Sequence, residues 1–448
     1  MIRLDRNGVR WEVQPDIALV LEEILTLSGS TIKEAPAKLV TVHSVRGKTY
    51  YVKRYRHSAV ALRPLKFLFK PSQARQEWEL AQKLETIGLP IVRHVAIGER
   101  WSWRGLTESI LITEGFDGKP LNEVADVNPE AALRFVNRMH ELGVLQRDLH
   151  PGNILVAPRT GEMRLVDLYC TEIKPHLTEA ERALNLALLR IHLPVKVSPE
   201  VERLSAQERR RRLYYRSKRC LKHNREFAPK NLGGLPWQIR LPFQNAEVER
   251  LLAAPDEFLA ARAHILKPGR SSTVGKAGGL VLKRYNFRKF ENLFKDLFRL
   301  SKARRAFRKA YHLELVGIPT ARCIATADRR VARILLRGYF LMEEIPGAIH
   351  LGQWRVDNAQ AIQAVAALLA KLHNEGFSHR DLKETNLVFD RDQRLYLIDL
   401  EGLEYLATVP PDRARADFAR LERALAALPQ FSEAERIALR GRYEKLRA

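Results

Sequence analysis

One segment of the chain, QRDLHPGN, carries polar residues at a spacing that suits phosphoryl transfer. This reaction requires that a nucleotide is held, that its charge is neutralised and that the acceptor hydroxyl is aligned. Asp148 in a loop could accept the hydroxyl proton, and Asn153 and the later Asp167 offer hard oxygen ligands for magnesium. Lys53, which ends a predicted strand upstream, could reach the α- and β-phosphates. These residue types together predict a site for ATP and Mg²⁺.

The second half of the chain repeats this pattern. Asp381 and Asn386 each lie 233 positions after their counterparts, Asp399 lies 232 positions after its own, and Lys283 lies 230 after Lys53. Blocks of similar sequence in the same order and at a nearly constant offset predict a duplicated domain. Capping of a turn would explain one aspartate, but it does not explain the paired asparagine and the distal aspartate.

The elements that must position these residues have the same order in each half. Alternating apolar segments such as LVTVHSV and TYYVKRY predict strands, and a helix with apolar residues at Trp78, Ala81 and Leu84 follows. A second helix, the motif loop, a hairpin and further helices come next. Strands first and helices later predict an α+β fold with a small β-rich lobe and a compact helical lobe. The Pro- and Gly-containing segment APKNLGGLPWQ predicts a connector, which gives domains 1–229 and 230–448.

The motifs resemble the protein-kinase pattern H-R-D-x-x-x-x-N followed by a metal-binding aspartate. SHRDLKETN fits as it stands, whereas QRDLHPGN has glutamine for the first histidine. Within that superfamily the chain is similar to the bacterial lipopolysaccharide kinases, which phosphorylate Kdo or heptose sugars of the inner core. The segments that carry this resemblance are VKRY and LKRY at the lysines, SQARQEW and SKARRAF before GLP and GIPT, and ILKPGRSSTVGKAGGLVLKRYN. The resemblance implies two tandem protein-kinase-like domains.

The resemblance also implies a role for each residue. The expected catalytic bases are Asp148 and Asp381; the ATP-binding residues are Lys53, Glu77 and Lys283; the magnesium ligands are Asn153, Asp167, Asn386 and Asp399. Two departures stand out. The position that matches Glu77 is Ala306, so that either another acid such as Glu314 steadies Lys283 or the second site is weakened. Neither half has a G-x-G-x-x-G loop, which implies a looser turn over the phosphates.

The formal charge of +24 over 448 residues predicts an anionic partner. Between Lys53 and Glu77, and again over residues 284–309, basic residues alternate with aromatic ones, a composition typical of segments on an anionic membrane surface. It would equally suit an acidic, lipid-linked saccharide, and packing on the segment's own lobe stays open. Nucleic acid is the least favoured partner, because no recognised nucleic-acid module is present. With no predicted signal peptide or membrane span, we expect a cytoplasmic protein, peripheral at the inner membrane.

Other residues favour structural interpretations. The three cysteines, Cys170, Cys220 and Cys323, have no metal-ligand spacing and are expected to be reduced. His140 and His373, each eight residues before an aspartate of the motif, are expected to be structural. Three functions remain in competition. They are phosphorylation of a lipopolysaccharide core sugar, phosphorylation of a small molecule or a protein, and regulation by a pair of pseudokinase domains.

Overall fold

The computed structural model describes residues 1–57, 67, 69–103, 105–125, 128–269, 271–286, 299–331 and 334–447. The chain divides into two compact units, Met1–Glu208 and Arg209–Ala448. Both units combine a large antiparallel sheet with helices, as the predicted α+β class requires.

The first unit begins with a seven-stranded antiparallel sheet in the order β1-β2-β6-β7-β5-β4-β3. Its strands are β1 Ile2–Arg6, β2 Val9–Val13, β3 Ser30–Ala35, β4 Lys38–Val45, β5 Lys48–Arg56, β6 His94–Ser102 and β7 Gly105–Glu114. Short strands follow: β8 Lys119–Pro120, β9 Val144–Gln146, β10 Ile154–Val156, β11 Met163–Leu165 and β12 Thr171–Ile173. The predicted strands LVTVHSV and TYYVKRY are the adjacent strands β4 and β5.

The described helices of the first unit are α1 Leu21–Thr26, α2 Gln73–Thr86, α3 Pro129–Glu141, α4 Glu179–Arg190 and α5 Pro199–Ser217, the last of which continues into the second unit. Helix α2 starts where the Ser72 hydroxyl caps the Arg75 amide at 3.0 Å, and it ends before Gly88, whose φ is +75°. Its buried residues Trp78 and Ala81 recur at helical spacing and face the sheet and the helical lobe.

The second unit repeats the sheet, in the order β13-β14-β18-β19-β17-β16-β15. Its strands are β13 Phe227–Leu232, β14 Leu235–Arg240, β15 His264–Pro268, β16 Ser272–Ala277, β17 Leu280–Asn286, β18 Cys323–Val331 and β19 Ile334–Glu343. The short strands are β20 Ile349–His350, β21 Phe377–His379, β22 Leu387–Phe389, β23 Leu395–Leu397 and β24 Leu403–Tyr405. The duplication predicted from sequence is therefore a duplication of topology.

The described helices of the second unit are α6 Ala246–Ala253, α7 Pro255–Glu257, α8 Lys302–Leu315, α9 Asn358–Asn374, α10 Pro411–Ala426 and α11 Glu433–Leu446. Helix α8 corresponds to α2: the Ser301 hydroxyl caps the Arg304 amide at 3.1 Å, and Gly317 follows its end with a φ of +70°. The helix buries Phe307 and Ala310 in the core of this unit.

The predicted connector is wrong, and the division lies earlier than the expected junction at 229/230. Residues 227–240 form the β13–β14 hairpin, in which Leu232 pairs with Leu235 across Gly233 and Gly234. Both glycines have positive φ, which a two-residue hairpin turn requires, so that the Gly-Gly pair marks a hairpin and not a linker. Cys220 and Phe227 are buried in the core of the second unit, which explains why the chain joins that unit earlier.

Candidate active sites

In the first unit the predicted phosphate-binding lysine lies against the helix that follows it. Nζ of Lys53 on β5 is 2.7 Å from Oε1 of Glu77 on α2. The Glu77 side chain is 0% exposed and that of Lys53 is 17% exposed. Burial acts to raise the pKa of Glu77, but Lys53 and the adjacent His94 outweigh burial and bring the pKa to about 2. The carboxylate is therefore charged at neutral pH and fixes the position of the lysine ammonium.

The three polar residues of the first motif are linked through one loop. The Asn153 amide donates from Nδ2 to the Asp148 carbonyl at 3.0 Å, and the Val166 amide donates to the Asn153 carbonyl at 2.9 Å. This second bond ties Asn153 to the residue immediately before Asp167. The structure therefore brings Asp148, Asn153 and Asp167 together, and the Oδ1 atom of Asn153 remains for another ligand.

The second motif is built in the same way. The Asn386 amide donates from Nδ2 to the Asp381 carbonyl at 2.6 Å, and the Ile398 amide donates to the Asn386 carbonyl at 2.8 Å. Asp399 is the next residue, so that the loop, the asparagine and the distal aspartate again form one cluster. In both units the asparagine is the last residue of a short 3₁₀ turn, Pro151–Asn153 or Glu384–Asn386.

The glutamine that replaces histidine in the first motif makes the same two contacts as that histidine. His379 accepts the Asp381 amide at Nδ1 (3.4 Å) and donates from Nε2 to the Asp399 carbonyl (3.2 Å). Gln146 accepts the Asp148 amide at Oε1 (3.2 Å) and donates from Nε2 to the Asp167 carbonyl (3.3 Å). Both side chains thus join the motif aspartate to the distal aspartate. Burial lowers the pKa of His379, which favours the neutral ring that these contacts require.

Both distal aspartates have a left-handed backbone, with φ of +56° at Asp167 and +55° at Asp399. This conformation is uncommon for residues other than glycine and persists only where surrounding contacts impose it. Its recurrence at matching positions indicates that the two loops present their carboxylates in the same way.

Each motif is anchored from a following helix by a buried polar side chain. In the second unit Asp417 on α10 is 1% exposed and accepts hydrogen bonds from the Ser378 hydroxyl (2.7 Å) and the His379 amide (2.8 Å). In the first unit Asn185 on α4 donates to the Gln146 carbonyl at 2.7 Å and accepts the Gln146 amide at 3.3 Å. The backbone immediately before each motif aspartate is therefore fixed by one side chain.

The lysine of the second unit has different partners from its counterpart. Nζ of Lys283 on β17 is 3.0 Å from Asp399 Oδ1 and 3.1 Å from Glu401 Oε1, and its side chain is 13% exposed. The prediction that an acid such as Glu314 steadies Lys283 is wrong for Glu314. Glu314 instead accepts two hydrogen bonds from Arg240, at 2.8 and 2.6 Å, on another side of helix α8.

A cleft of about 500 Å³ in the second unit contains Lys283, Asn386 and Asp399. Its apolar lining comes from Leu266, Val274 and Val281 on the large sheet and from Val388 and Ile398, and residues 342–345 at and after the end of β19 also line it. Lys267, Lys276 and Lys383 add positive charge to its lining. A cleft that combines apolar side chains with lysine and acidic residues suits a nucleotide base and its polyphosphate.

A family model described as the lipopolysaccharide kinase (Kdo/WaaP) family matches the chain twice, over residues 23–206 and 267–443. Together the segments cover well over half of the chain, one in each unit. The chain belongs to the lipopolysaccharide kinase (Kdo/WaaP) family. This membership makes it a kinase, and the two matched segments confirm the predicted tandem of kinase-like domains.

Individual relatives of this lipopolysaccharide kinase are distant. The lipopolysaccharide core heptose(I) kinase WaaP of Pseudomonas aeruginosa is 25% identical over 191 residues, which are 38% of this chain and 71% of that protein. WbdD in complex with the kinase inhibitor LY294002 is 19% identical with a TM-score of 0.28, and the matched region covers 41% of this chain and 44% of the WbdD chain. Monomeric WbdD is 20% identical with a TM-score of 0.29, over 39% of this chain and 45% of its own. The kinase thus spans less than half of these WbdD chains.

The residues of each motif fit a magnesium ion bound together with nucleotide. In the described part of the chain no group of three or more His, Cys, Asp or Glu side chains could hold a metal by itself. Magnesium at nucleotide sites uses one or two protein ligands, phosphate oxygens and water. A carboxylate with a neighbouring amide oxygen, as at Asp167 with Asn153 and at Asp399 with Asn386, is such a donor set.

The structure describes only part of the basic and aromatic segments. Residues 58–66, 68 and 287–298, which include Arg63 and Lys66, lie outside the described residues. Phe69 is 89% exposed and Arg75 pairs with Glu12 and Glu99, both at 3.0 Å. Within the described residues, no helix is both long and apolar enough to cross a bilayer.

Sequence reasoning missed several residues of these sites. Gln146 and His379 were noted only as a match or a departure from a motif, and the anchors Asn185 and Asp417 were not singled out. The sequence does contain a signal for Asn185 and Asp417: they lie 232 positions apart, which is the offset between Asp167 and Asp399 in the internal repeat. His140 and His373 are buried; Nδ1 of His373 lies 2.7 Å from the Tyr443 hydroxyl and its Nε2 lies 3.4 Å from Asp417, and a structural role for both histidines stays a prediction.

Proposed function

We propose that this kinase transfers the γ-phosphoryl group of ATP to a hydroxyl of a lipopolysaccharide inner-core sugar. The observation that carries the proposal is the recurrence of one constellation in both units of a family member: a buried lysine, a loop aspartate tied to an asparagine, and a left-handed distal aspartate. Family membership supports the substrate class, since the related WaaP is a lipopolysaccharide core heptose(I) kinase.

In each domain the loop aspartate, Asp148 or Asp381, acts as general base. It accepts the proton of the sugar hydroxyl as the hydroxyl oxygen bonds to the γ-phosphorus and the bond from that phosphorus to the β,γ-bridging oxygen breaks, leaving ADP. Lys53 or Lys283 neutralises charge on the α- and β-phosphates. Magnesium, held by Asn153 with Asp167 or by Asn386 with Asp399, would supply further neutralisation of the phosphate oxygens.

Charge supports an acidic, lipid-linked acceptor over a neutral one. The net charge of +24 favours a saccharide that bears carboxylates or phosphates, and contact with the anionic cytoplasmic surface of the inner membrane would bring the kinase to it. In the second motif Lys383 lies 3.4 Å from Asp381, and both side chains are about half exposed. A cation beside the base would attract an anionic acceptor to the reacting hydroxyl.

The acceptor class is tested by offering the full chain labelled ATP with purified core lipopolysaccharide, a free aminoglycoside or a general protein substrate. We expect magnesium-dependent label in the lipopolysaccharide only. Label in the small molecule or the protein alone would favour one of those alternatives. Binding of ATP without label in any acceptor would favour a pseudokinase pair and would contradict the proposal.

A further inference from the structure

The partner of the nucleotide lysine has changed between the two domains. In the first domain Lys53 pairs with Glu77 on helix α2. The matching position on helix α8 is Ala306, and a small cavity of about 50 Å³ lies between Ala306 and Lys283. The space that a helix carboxylate would occupy is thus retained beside the lysine, while the carboxylate itself comes from Glu401, two residues after Asp399.

Helix α8 has gained positive charge where it faces Glu401. Nζ of Lys302 is 3.3 Å from Oε2 of Glu401, and Nζ of Lys309 donates to the carbonyl oxygens of Leu400 (2.9 Å) and Glu401 (3.1 Å). Lys302 and Lys309 are seven residues apart, two helical turns, and therefore lie on one face of the helix.

The first domain has none of these charges. At the positions that match Lys302, Lys309 and Glu401 it has Gln73, Leu80 and Tyr169. Four positions therefore differ together: the helix of the second domain lacks the acid and carries two lysines, and the loop after the distal aspartate carries an acid. Random decay of an unused site would not be expected to place Lys302 against the Glu401 carboxylate and Lys309 against the carbonyl oxygens of the same loop.

The contact made by Glu401 matches that made by Glu77. Nζ of Lys283 is 3.1 Å from Oε1 of Glu401, as Nζ of Lys53 is 2.7 Å from Oε1 of Glu77, and both lysine side chains are less than one-fifth exposed. The pair therefore resembles Lys53–Glu77 in residue type although not in chain position.

We infer that Glu401 is the positioning residue of the second site and performs, from the loop after Asp399, the task that Glu77 performs from a helix. This inference rests on the proposed function. Because Glu401 and Asp399 both contact the ammonium of Lys283, their loop fixes the position of the lysine relative to the aspartate that would bind magnesium. The missing helix glutamate then marks a rearranged site and not a weakened one.

The test uses the full chain with Lys53→Ala and Asp148→Ala, so that nucleotide binding and transfer both report the second site. Glu401→Gln keeps the shape of the side chain and removes its charge. We expect the affinity for a fluorescent ATP analogue and the value of kcat/KM for ATP to fall by roughly ten- to a hundred-fold, as for loss of a charge-assisted bond. Glu444→Gln, an exposed carboxylate on α11, is the matched control and should change neither.

A second variant makes the result specific to the lysine contact. Adding Ala306→Glu to Glu401→Gln places a carboxylate in the cavity beside Lys283, and we expect it to recover a large part of the lost nucleotide affinity. Unchanged affinity and kinetics in Glu401→Gln would overturn the inference, as would a loss that Ala306→Glu does not repair at all. If the parent with Lys53→Ala and Asp148→Ala neither binds nucleotide nor transfers phosphate, the proposed function of the second site fails instead.

Discussion

At the scale of single residues, Gln146 and His379 show that a departure from a motif can preserve its geometry. Each side chain accepts one backbone amide and donates to one carbonyl, so that it links the motif aspartate to the distal aspartate. A neutral imidazole and a primary amide can both make this pair of bonds, because each has an acceptor atom and an N–H donor at its tip; the second N–H of Gln146 donates to the Thr171 hydroxyl at 3.0 Å. The first motif therefore carries no defect at this position.

We therefore predict that His379→Gln retains most of the second domain's transfer activity, whereas His379→Ala loses it by about ten-fold or more, since two buried polar groups lose their partner. The measurement is the transfer rate in an Asp148→Ala background, with nucleotide affinity as a check on folding. Equal losses in the two variants would contradict the equivalence.

The exchange of Gln146 for His379 also predicts that the two domains differ in the pH dependence of phosphate transfer. Protonation of His379 removes the acceptor that the Asp381 amide uses, and the pKa of His379 is lowered by burial. Because the pKa is lowered, the ring is neutral and supports activity at pH values above the usual histidine pKa of about 6.5. That support is lost as pH falls through the pKa of His379 in the folded protein. Transfer by the second domain should show an acid limb that His379→Gln moves to lower pH. An unchanged limb would contradict this assignment.

At the scale of elements, the motif loop of each domain is bonded to one buried anchor. Asp417 on α10 accepts the Ser378 hydroxyl and the His379 amide, and Asn185 on α4 holds the Gln146 backbone. Asp417 also lies 3.0 Å from Arg420 one turn later, which balances its charge. Burial acts to raise the pKa of Asp417, but the hydrogen bonds from His373, Ser378 and the His379 amide lower it.

Replacing this anchor should destabilise the second domain in a graded way. Asp417→Ala removes the acceptor of three buried donors, His373, Ser378 and the His379 amide, and we expect the free energy of unfolding to fall by about 1–3 kcal/mol. Asp417→Asn keeps an acceptor oxygen, as Asn185 does in the first domain, and should cost less. Thermal unfolding of both variants measures the effect, with Asp392→Ala in an exposed turn as control. If Asn and Ala cost the same, the anchor does not act through its acceptor oxygen.

Much of this element order could be predicted from sequence, for physical reasons. Helix α2 has both a serine cap and apolar residues at helical spacing, and strands β4 and β5 alternate clearly. The β13–β14 hairpin was misread, because Gly233–Gly234 breaks an apolar pattern and reads equally as a linker. Glu401 could not be found from local sequence, since its partner Lys283 is brought to it only by tertiary packing.

At the scale of the whole molecule, the chain carries two kinase domains whose lysines are held in different ways. A duplicated enzyme in which one copy had become inactive should have lost at least one of its lysine, loop aspartate, asparagine and distal aspartate residues, yet both copies keep these four. The two sites could modify two hydroxyls of one core saccharide, since each domain can then change its acceptor pocket while keeping the same chemistry.

The charge of the whole chain predicts its behaviour at membranes. With a net charge of +24, we expect the kinase to bind vesicles of anionic phospholipid at low ionic strength and to be released when salt shortens the Debye length to a few ångströms, at about 1 M. Vesicles of zwitterionic lipid are the control. Cosedimentation that is absent at low salt, or equal for both lipids, would contradict peripheral attachment by charge.

Transfer of phosphate by both domains is tested most directly by resolving the labelled products of Asp148→Asn, Asp381→Asn and the double variant. Labelled ATP and purified core lipopolysaccharide are supplied with magnesium, and Asp5→Asn on exposed strand β1 is the control. Each single variant should lose one phosphorylated position by about 10²–10⁴-fold, as for removal of a general base, and the double variant should lose both. Full labelling of both positions by the double variant would contradict the claim.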